Sequence, residues 1–97
     1  MIRNIKGKTT QDIYDGVDSR YSRKIPRKLH RKSRRILDQI NVANNIGVLR
    51  VPPGNQLEKL EGSLRDHWSI RINDQWRVIF TWVNHGANDV QITDYHK

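Results

Sequence analysis

The sequence predicts an α+β fold in which two helices pack on one face of a twisted, mainly antiparallel sheet, with a short strand at the N-terminus. Three observations carry that expectation. An apolar period of 3.6 residues runs through residues 22–44, a period of two takes over from His67, and turn-forming residues punctuate the second half at short intervals. With 97 residues the chain has room for one domain, spanning 1–97, and for a modest core.

Taken in order, residues 2–6 read as a short edge strand of alternating apolar and polar side chains. Thr9 and Asp12 stand at capping-box spacing, which predicts a brief helix to about Val17, ended by Gly16 and the polar stretch after it. The longest helix is expected over residues 22–44. Pro26 suits its first turn, and Ile25, Leu29, Ile36, Leu37 and Ile40 fall on one face with Ser33 filling the gap. Asn44-Asn45-Ile46-Gly47 supplies a stop, and residues 49–55, with two prolines and a glycine, read as an extended, turn-rich connector.

From His67 onward, Trp68, Ile70 and Ile72 alternate with Ser69 and Arg71. Asn73-Asp74-Gln75 makes a turn; Trp76, Val78, Phe80 and Trp82 then alternate with Arg77, Ile79, Thr81 and Val83. A second turn is expected at His85-Gly86-Ala87-Asn88 and a last strand at about 89–95, where Val90 and Ile92 alternate with Gln91 and Thr93. Strands joined by tight turns give an antiparallel meander.

Composition narrows the function. Eighteen Lys and Arg against ten Asp and Glu leave a net charge of +8, which attracts polyanions by releasing their counterions. Membrane surfaces and acidic proteins respond to the same field, so charge alone does not choose the partner. The absence of cysteine excludes disulfides, thiolate metal sites and a cysteine nucleophile. The longest apolar run, residues 78–83, is too short to cross a bilayer, and the first residues lack the apolar run of a signal peptide. A soluble, unexported, cytoplasmic protein with no membrane partner is expected. His30, His67 and His85 lack metal-ligand spacing and read as ordinary surface or core histidines.

Parity locates the candidate chemistry. If the tryptophans and aliphatics of the last strands face the helices, Arg71 and Arg77 emerge together on the open face of adjacent strands. The chain closes on Asp94-Tyr95-His96, setting a phenol and an imidazole near two fixed cations. Such a group can hold a phosphate and move protons. A metal-free ribonuclease uses the substrate's 2′-hydroxyl as nucleophile and needs a base, a cation for the phosphorane and an acid for the departing 5′-oxygen. Tyr95 or His96 fits the base and Arg77 the cation; a tyrosine of ordinary pKa ~10 needs neighbouring cations such as Arg71 and Arg77 to serve. Trp68, Trp76 and Trp82 read as core at strand spacing, and Glu58 and Glu61 as solvated surface. Residues 20–35 hold nine basic residues and no acid; Arg27, Arg31, Arg34 and Arg35 form a stripe away from the apolar face. A solvated helix face explains many such runs, but this density favours contact with ribosomal RNA, for positioning rather than chemistry.

Three segments carry a resemblance. They are residues 52–62 (Pro-Pro-Gly-Asn-Gln-Leu-Glu-Lys-Leu-Glu-Gly), residues 68–80 (Trp-Ser-Ile-Arg-Ile-Asn-Asp-Gln-Trp-Arg-Val-Ile-Phe) and residues 90–96 (Val-Gln-Ile-Thr-Asp-Tyr-His). The chain resembles, over nearly its whole length, the HigB branch of the RelE/ParE toxin superfamily, also called the killer-protein family. The resemblance implies a RelE-like fold and a type II toxin that cuts messenger RNA at the ribosome and is neutralised by a HigA-type helix-turn-helix antitoxin. It implies no metal, organic cofactor or small-molecule ligand. By the same resemblance the family's active-site arginine corresponds to Arg77 and its acidic, aromatic and histidine tail to Asp94, Tyr95 and His96. Asp94 would orient His96 or support the strand end, and Arg71 and Lys59 would hold the RNA backbone. The chain departs from the family pattern at Glu58, where a histidine can stand, at Asn73 and Asp74, where a basic residue can stand, and at Glu61 in place of a lysine. Lys59, Arg65 and Arg71 are candidates to make up the lost charge. The rival readings are a ParE-like, non-enzymatic inhibitor of DNA gyrase, against which the Asp-Tyr-His tail argues, and an inactive basic RNA-binding module.

Overall fold

Burial of alternate side chains along the C-terminal half organises the structure. The computed structural model, which describes residues 1–94, contains strands β1 (Glu58–Lys59), β2 (His67–Arg71), β3 (Trp76–Val83) and β4 (Gly86–Asp94). They form one antiparallel sheet in the order β1-β2-β3-β4. Ile70, Ile72, Val78, Phe80, Val90 and Ile92 enter a single core with Ile13, Ile36, Leu37 and Ile40 from helices α1 (Lys8–Asp15) and α2 (His30–Val42). Helix α1 packs on β4 and α2, and α2 packs on β3 and β4. The expected α+β layering is therefore present. Trp68, Trp76 and Trp82 pack against this core, as their parity requires.

The two hairpins have local causes. At the β2–β3 turn the Asn73 side-chain oxygen accepts the N–H groups of Gln75 at 2.9 Å and Trp76 at 2.7 Å, an Asx turn that aims β3 back along β2. The β3–β4 turn is tighter than the sequence suggests. Asn84 and His85 both take left-handed backbone, with φ of 51° and 63°, so a two-residue turn suffices and β4 begins at Gly86. Arg3 clamps that turn by donating to the Val83 and Asn84 carbonyls. A bulge follows, where β3 advances from Ile79 to Thr81 while β4 spans Asn88 to Gln91. Asp89, at φ 52°, absorbs the extra residue and is held by paired hydrogen bonds with Asn4.

Several N-terminal expectations are corrected. Residues 2–6 make two isolated parallel bridges to β4, Ile2 with Ala87 and Ile5 with Val90, rather than a regular strand. The two isoleucines are three positions apart, a spacing that alternation cannot turn to one face. No capping box forms on α1, whose N-cap is Gly7; Thr10 instead accepts the buried Ile92 N–H at 2.9 Å and stitches α1 to β4. The helix predicted over residues 22–44 is shortened to α2, preceded by single 3₁₀ turns at Ser22–Lys24 and Arg27–Leu29. Pro26 causes the break, because the residue before a proline is driven out of helical backbone and Ile25 is extended. Within α2 the expected face is buried, with Ser33, Ile36, Leu37 and Ile40 all inside and the Ser33 hydroxyl donating to the Leu29 carbonyl at 2.7 Å.

The connector after α2 is less extended than its prolines suggest, with 3₁₀ turns at Ile46–Arg50 and Pro53–Asn55. Buried Asn55 ties it down: Nδ2 lies 3.0 Å from Gln39 Oε1 and 3.1 Å from the Leu49 carbonyl. The connector then delivers β1, a strand that the sequence reading did not anticipate. Among the described residues no helix is long and apolar enough to cross a membrane.

Asp12 joins α1 to the segment leading to α2. Only 3% exposed, its carboxylate accepts Ser19 Oγ at 2.7 Å and Lys8 Nζ at 3.0 Å, and these bonds hold its pKa below the ordinary 3.8. A lowered carboxyl pKa contributes stability that is complete above 3.8 and is lost as pH falls through the folded value. Asp12→Asn is expected to lower stability at pH 7 in urea unfolding, with the gap from wild type closing at lower pH.

Candidate active site on the open face of the sheet

Cross-strand register assembles the site. Arg71 pairs with Arg77 between β2 and β3, and Arg77 pairs with Thr93 between β3 and β4, so these three side chains leave the sheet on the face away from the helices. The adjoining row, two residues along, contains Ser69, Ile79 and Gln91, with Glu58 of β1 opposite Ser69. Glu58 therefore shares the face of Arg77, about 10 Å across the sheet and about 7 Å along it at the backbone. Long side chains on both can reach one ribose–phosphate unit between them. Ile79 and Leu60 are buried here too, although neither belongs to the main core cluster. They give this part of the face an apolar floor.

Each arginine is held differently. Arg77 Nη1 donates to the Asn73 carbonyl and to its neighbour Trp76's carbonyl at 3.2 Å, so the β2–β3 turn anchors one edge of the guanidinium. No hydrogen bond among the described residues engages its Nη2 or Nε. Arg71 Nη2 donates to the exposed carboxylate of Asp74. The Arg71 hydrogen bond and charge, helped by Arg77, hold the Asp74 carboxyl below 3.8. Lys32, on the flank of α2, completes a cationic cluster at this end of the sheet. Its ammonium is pushed below the usual 10.5 first by burial and then by the charges of Arg71 and Arg35.

The other candidates are dispersed. Asp94 lies opposite Trp76, so it projects on the helix side of the sheet rather than with Arg77, and its exposed carboxylate accepts Gln75 Nε2 at 3.1 Å. Asp94 is expected to orient His96 or support the strand end rather than to meet the phosphate itself. Tyr95 and His96 lie outside the described residues. Lys59 pairs with Trp68 and its Nζ stands 5.2 Å from that ring, on the helix side, away from Arg71. Arg65 is exposed after the 3₁₀ turn Gly62–Leu64. The predicted stripe divides. Arg27, Arg31 and Arg34 line a shallow hollow with His30 and Asp18, and Arg27 pairs with Asp18 at 3.3 Å, whereas Arg35, like Arg71, acts through its charge on Lys32.

Sequence reasoning missed Lys32 and the placement of Glu58. Lys32 precedes Ile36 by one helical turn, a spacing that marks it as a flank of the buried face. Glu58 and buried Leu60 alternate about Lys59, which is the signal that β1 exists.

A family profile described as the RelE-like toxin of type II toxin-antitoxin system HigB matches residues 4–96. The chain belongs to the HigB-like toxin family. It is 37% identical to Toxin HigB-1 of Vibrio cholerae across 97 residues, covering 100% of this chain and 99% of the relative. An uncharacterised protein of Haemophilus influenzae is 41% identical over 69 residues, 71% of this chain and 68% of its own length. Among solved structures, the HigB-like fold matches a YoeB dimer from Staphylococcus aureus with a TM-score of 0.58 and 25% identity. It matches the YoeB–YefM complex from the same organism with a TM-score of 0.56 and 24% identity; each match covers 97% of both chains. The chain is thus a type II toxin–antitoxin toxin of RelE-like fold.

The Arg71-centred cluster makes a direct prediction. In Arg71→Ala, NMR titration should find the Asp74 carboxyl back near 3.8 and the Lys32 ammonium raised only part-way to 10.5, because burial is its larger cause. Unmoved titrations would show that Arg71 does not act on the other two groups.

Proposed function

We propose that this HigB-like toxin is a ribosome-dependent endoribonuclease that cuts messenger RNA without a metal. The observation carrying this reading is the cross-strand row of Arg71, Arg77 and Thr93 beside Glu58 on one face of the sheet. In the proposed reaction the substrate's 2′-oxygen attacks the adjacent phosphorus and the bond to the 5′-oxygen breaks. The products carry a 2′,3′-cyclic phosphate and a 5′-hydroxyl. Arg77, fixed on one edge by the turn, presents its remaining N–H groups to the phosphorane. Preorganised donors of this kind act where charge develops and need no reorientation.

A base must take the 2′-hydroxyl proton and an acid must protonate the 5′-oxygen. Tyr95 and His96 are assigned to these steps by family resemblance. Glu58 is a further candidate base from its position on the arginine face, and it occupies the place where the family can carry a histidine. Arg71 holds the backbone once the RNA phosphate displaces Asp74, an exchange that costs little because exposed ion pairs contribute only about 0–1 kcal/mol. Arg27, Arg31, Arg34, Arg35 and Arg65 grip ribosomal RNA, and Lys32 reinforces Arg71. The bound antitoxin is a HigA-type protein, and the toxin works in the cytoplasm; the YoeB–YefM complex, a fold relative captured with its partner, supports the pairing of toxin and antitoxin.

Mapping mRNA 5′ ends after induction tests the reading. Wild type should create new 5′-hydroxyl ends within translated frames. Arg77→Ala should reduce them by about 10²–10³-fold, the usual cost of losing one preorganised transition-state donor. His96→Ala and Glu58→Gln should each reduce them if they move protons, by about 10²–10⁴-fold. Identical end profiles for wild type and Arg77→Ala would defeat the enzymatic assignment, and a halt in DNA replication ahead of translation would point to gyrase.

A second measurement follows from the Arg71–Asp74 pair. Asp74→Asn should tighten binding of a short single-stranded RNA by about two- to fivefold in fluorescence anisotropy, since one competing anion is removed. Unchanged affinity would exclude Arg71 from the RNA path.

A further inference from the structure

Around the β4 edge from Arg77 lies a second feature that the proposed chemistry does not use. Lys6, Lys8, Lys24, Tyr21, Trp76 and Thr93 line an open pocket of about 370 Å³ between the start of α1, the Ser22–Lys24 turn and the end of β4. That volume falls within the range of ligand sites, roughly 300–1,000 Å³. Three ammonium groups and a single carboxylate, Asp94, stand among the lining side chains. Lys8 is also paired with Asp12 at 3.0 Å.

Tyr21 gathers the cations. Its ring centre is 4.9 Å from the Arg20 guanidinium, 5.7 Å from Lys24 Nζ and 5.9 Å from Lys8 Nζ, and its hydroxyl accepts Arg20 Nη2 at 2.8 Å. Flexible lysines are thereby held over the pocket mouth by cation–π attraction. Trp76 lines the wall, and its indole Nε1, closed off from solvent, makes no hydrogen bond among the described residues. Thr93 belongs both to this pocket and to the row of Arg71 and Arg77. An extended strand of RNA lying on Arg77 and leaving over the β4 edge would therefore enter it.

We propose that this pocket is a subsite for one nucleotide of the RNA next to the scissile phosphate, with Lys6 and Lys24 on backbone phosphates and Tyr21 as the positioning residue for the lysines. The proposal rests on the ribonuclease reading above and names a part of its substrate path. Continuity with the Arg77 row favours RNA over an acidic protein segment, which the same lysines would attract.

The test uses the full chain carrying Arg77→Ala, so that RNA remains intact. A single-stranded RNA hexamer is titrated while the Trp76 indole N–H resonance, assigned with Trp76→Phe, is followed by NMR. The resonance should shift and saturate. Adding Lys6→Ala with Lys24→Ala should weaken that saturation at least tenfold and reduce the log–log salt slope by about 1.4, the share of two phosphate contacts on a single strand. Tyr21→Leu should weaken it and Tyr21→Phe should retain most of it. A stationary Trp76 resonance, or equal affinity and salt slope in the double variant, overturns the subsite. So does loss of a poly-glutamate peptide, but not of the RNA, in the double variant, because the pocket would then be a protein-docking site. Failure of the nuclease reading is separate, being seen as unaltered mRNA cleavage by Arg77→Ala.

Discussion

The burial of Val78 and Phe80 beneath the helices decides where the charged side chains of the central hairpin point. Both are fully enclosed, so Arg77 between Trp76 and Val78 must leave the opposite face. A slip of one residue would expose Phe80 and bury the guanidinium, two changes that each cost several kcal/mol. The apolar core thus fixes the cationic row with no interaction of its own at that row. The Asp89 bulge adds the second constraint. It shifts β4 by one residue below Ile79, places Thr93 rather than Ile92 opposite Arg77, and is held from outside by Asn4.

Charge is arranged on this frame so that few cations are neutralised strongly. Several basic residues pair with exposed carboxylates: Asp18 serves Arg23 and Arg27, and Asp74 serves Arg71. Such pairs are weak and screened by salt, so a polyanion can replace the protein's own carboxylate at little cost. Lys32 is different. Held partly buried beside two arginines, it retains unfavourable repulsion that an incoming phosphate would relieve.

Legibility from the sequence followed the strength of the periodic signal. From His67 to Asp94 the two-residue period was strong, and strands, facing residues and the placement of Arg71 and Arg77 could all be read. The same alternation already implied that Asp94, two residues after Ile92, turns to the helix side, whereas its tie to His96 came from the family's terminal motif. The N-terminal half was harder. Pro26 can open a helix, but Ile25 ahead of it cannot then be helical, and that second rule decided the true start of α2. Strand β1 is too short for a period to show, so Glu58 was legible only as a residue in a polar segment. Lys32 was legible only as one cation in a run of nine, because its neighbour Arg71 is remote in sequence.

The division of the basic run has a functional consequence. A single stripe on α2 would bind one polyanion along the helix, apart from the sheet. Instead Arg27, Arg31 and Arg34 face the hollow beside Asp18, while Lys32 feels the charges of Arg71 and Arg35. A helix that offers cations on both flanks can touch two RNA surfaces at once, and one of those flanks adjoins the arginine row. Phosphate contacts of this kind position without reading sequence. Under the proposed function, selectivity for particular messages would come from what the ribosome presents and from the few groups around Arg77, rather than from the greater part of the chain's positive charge.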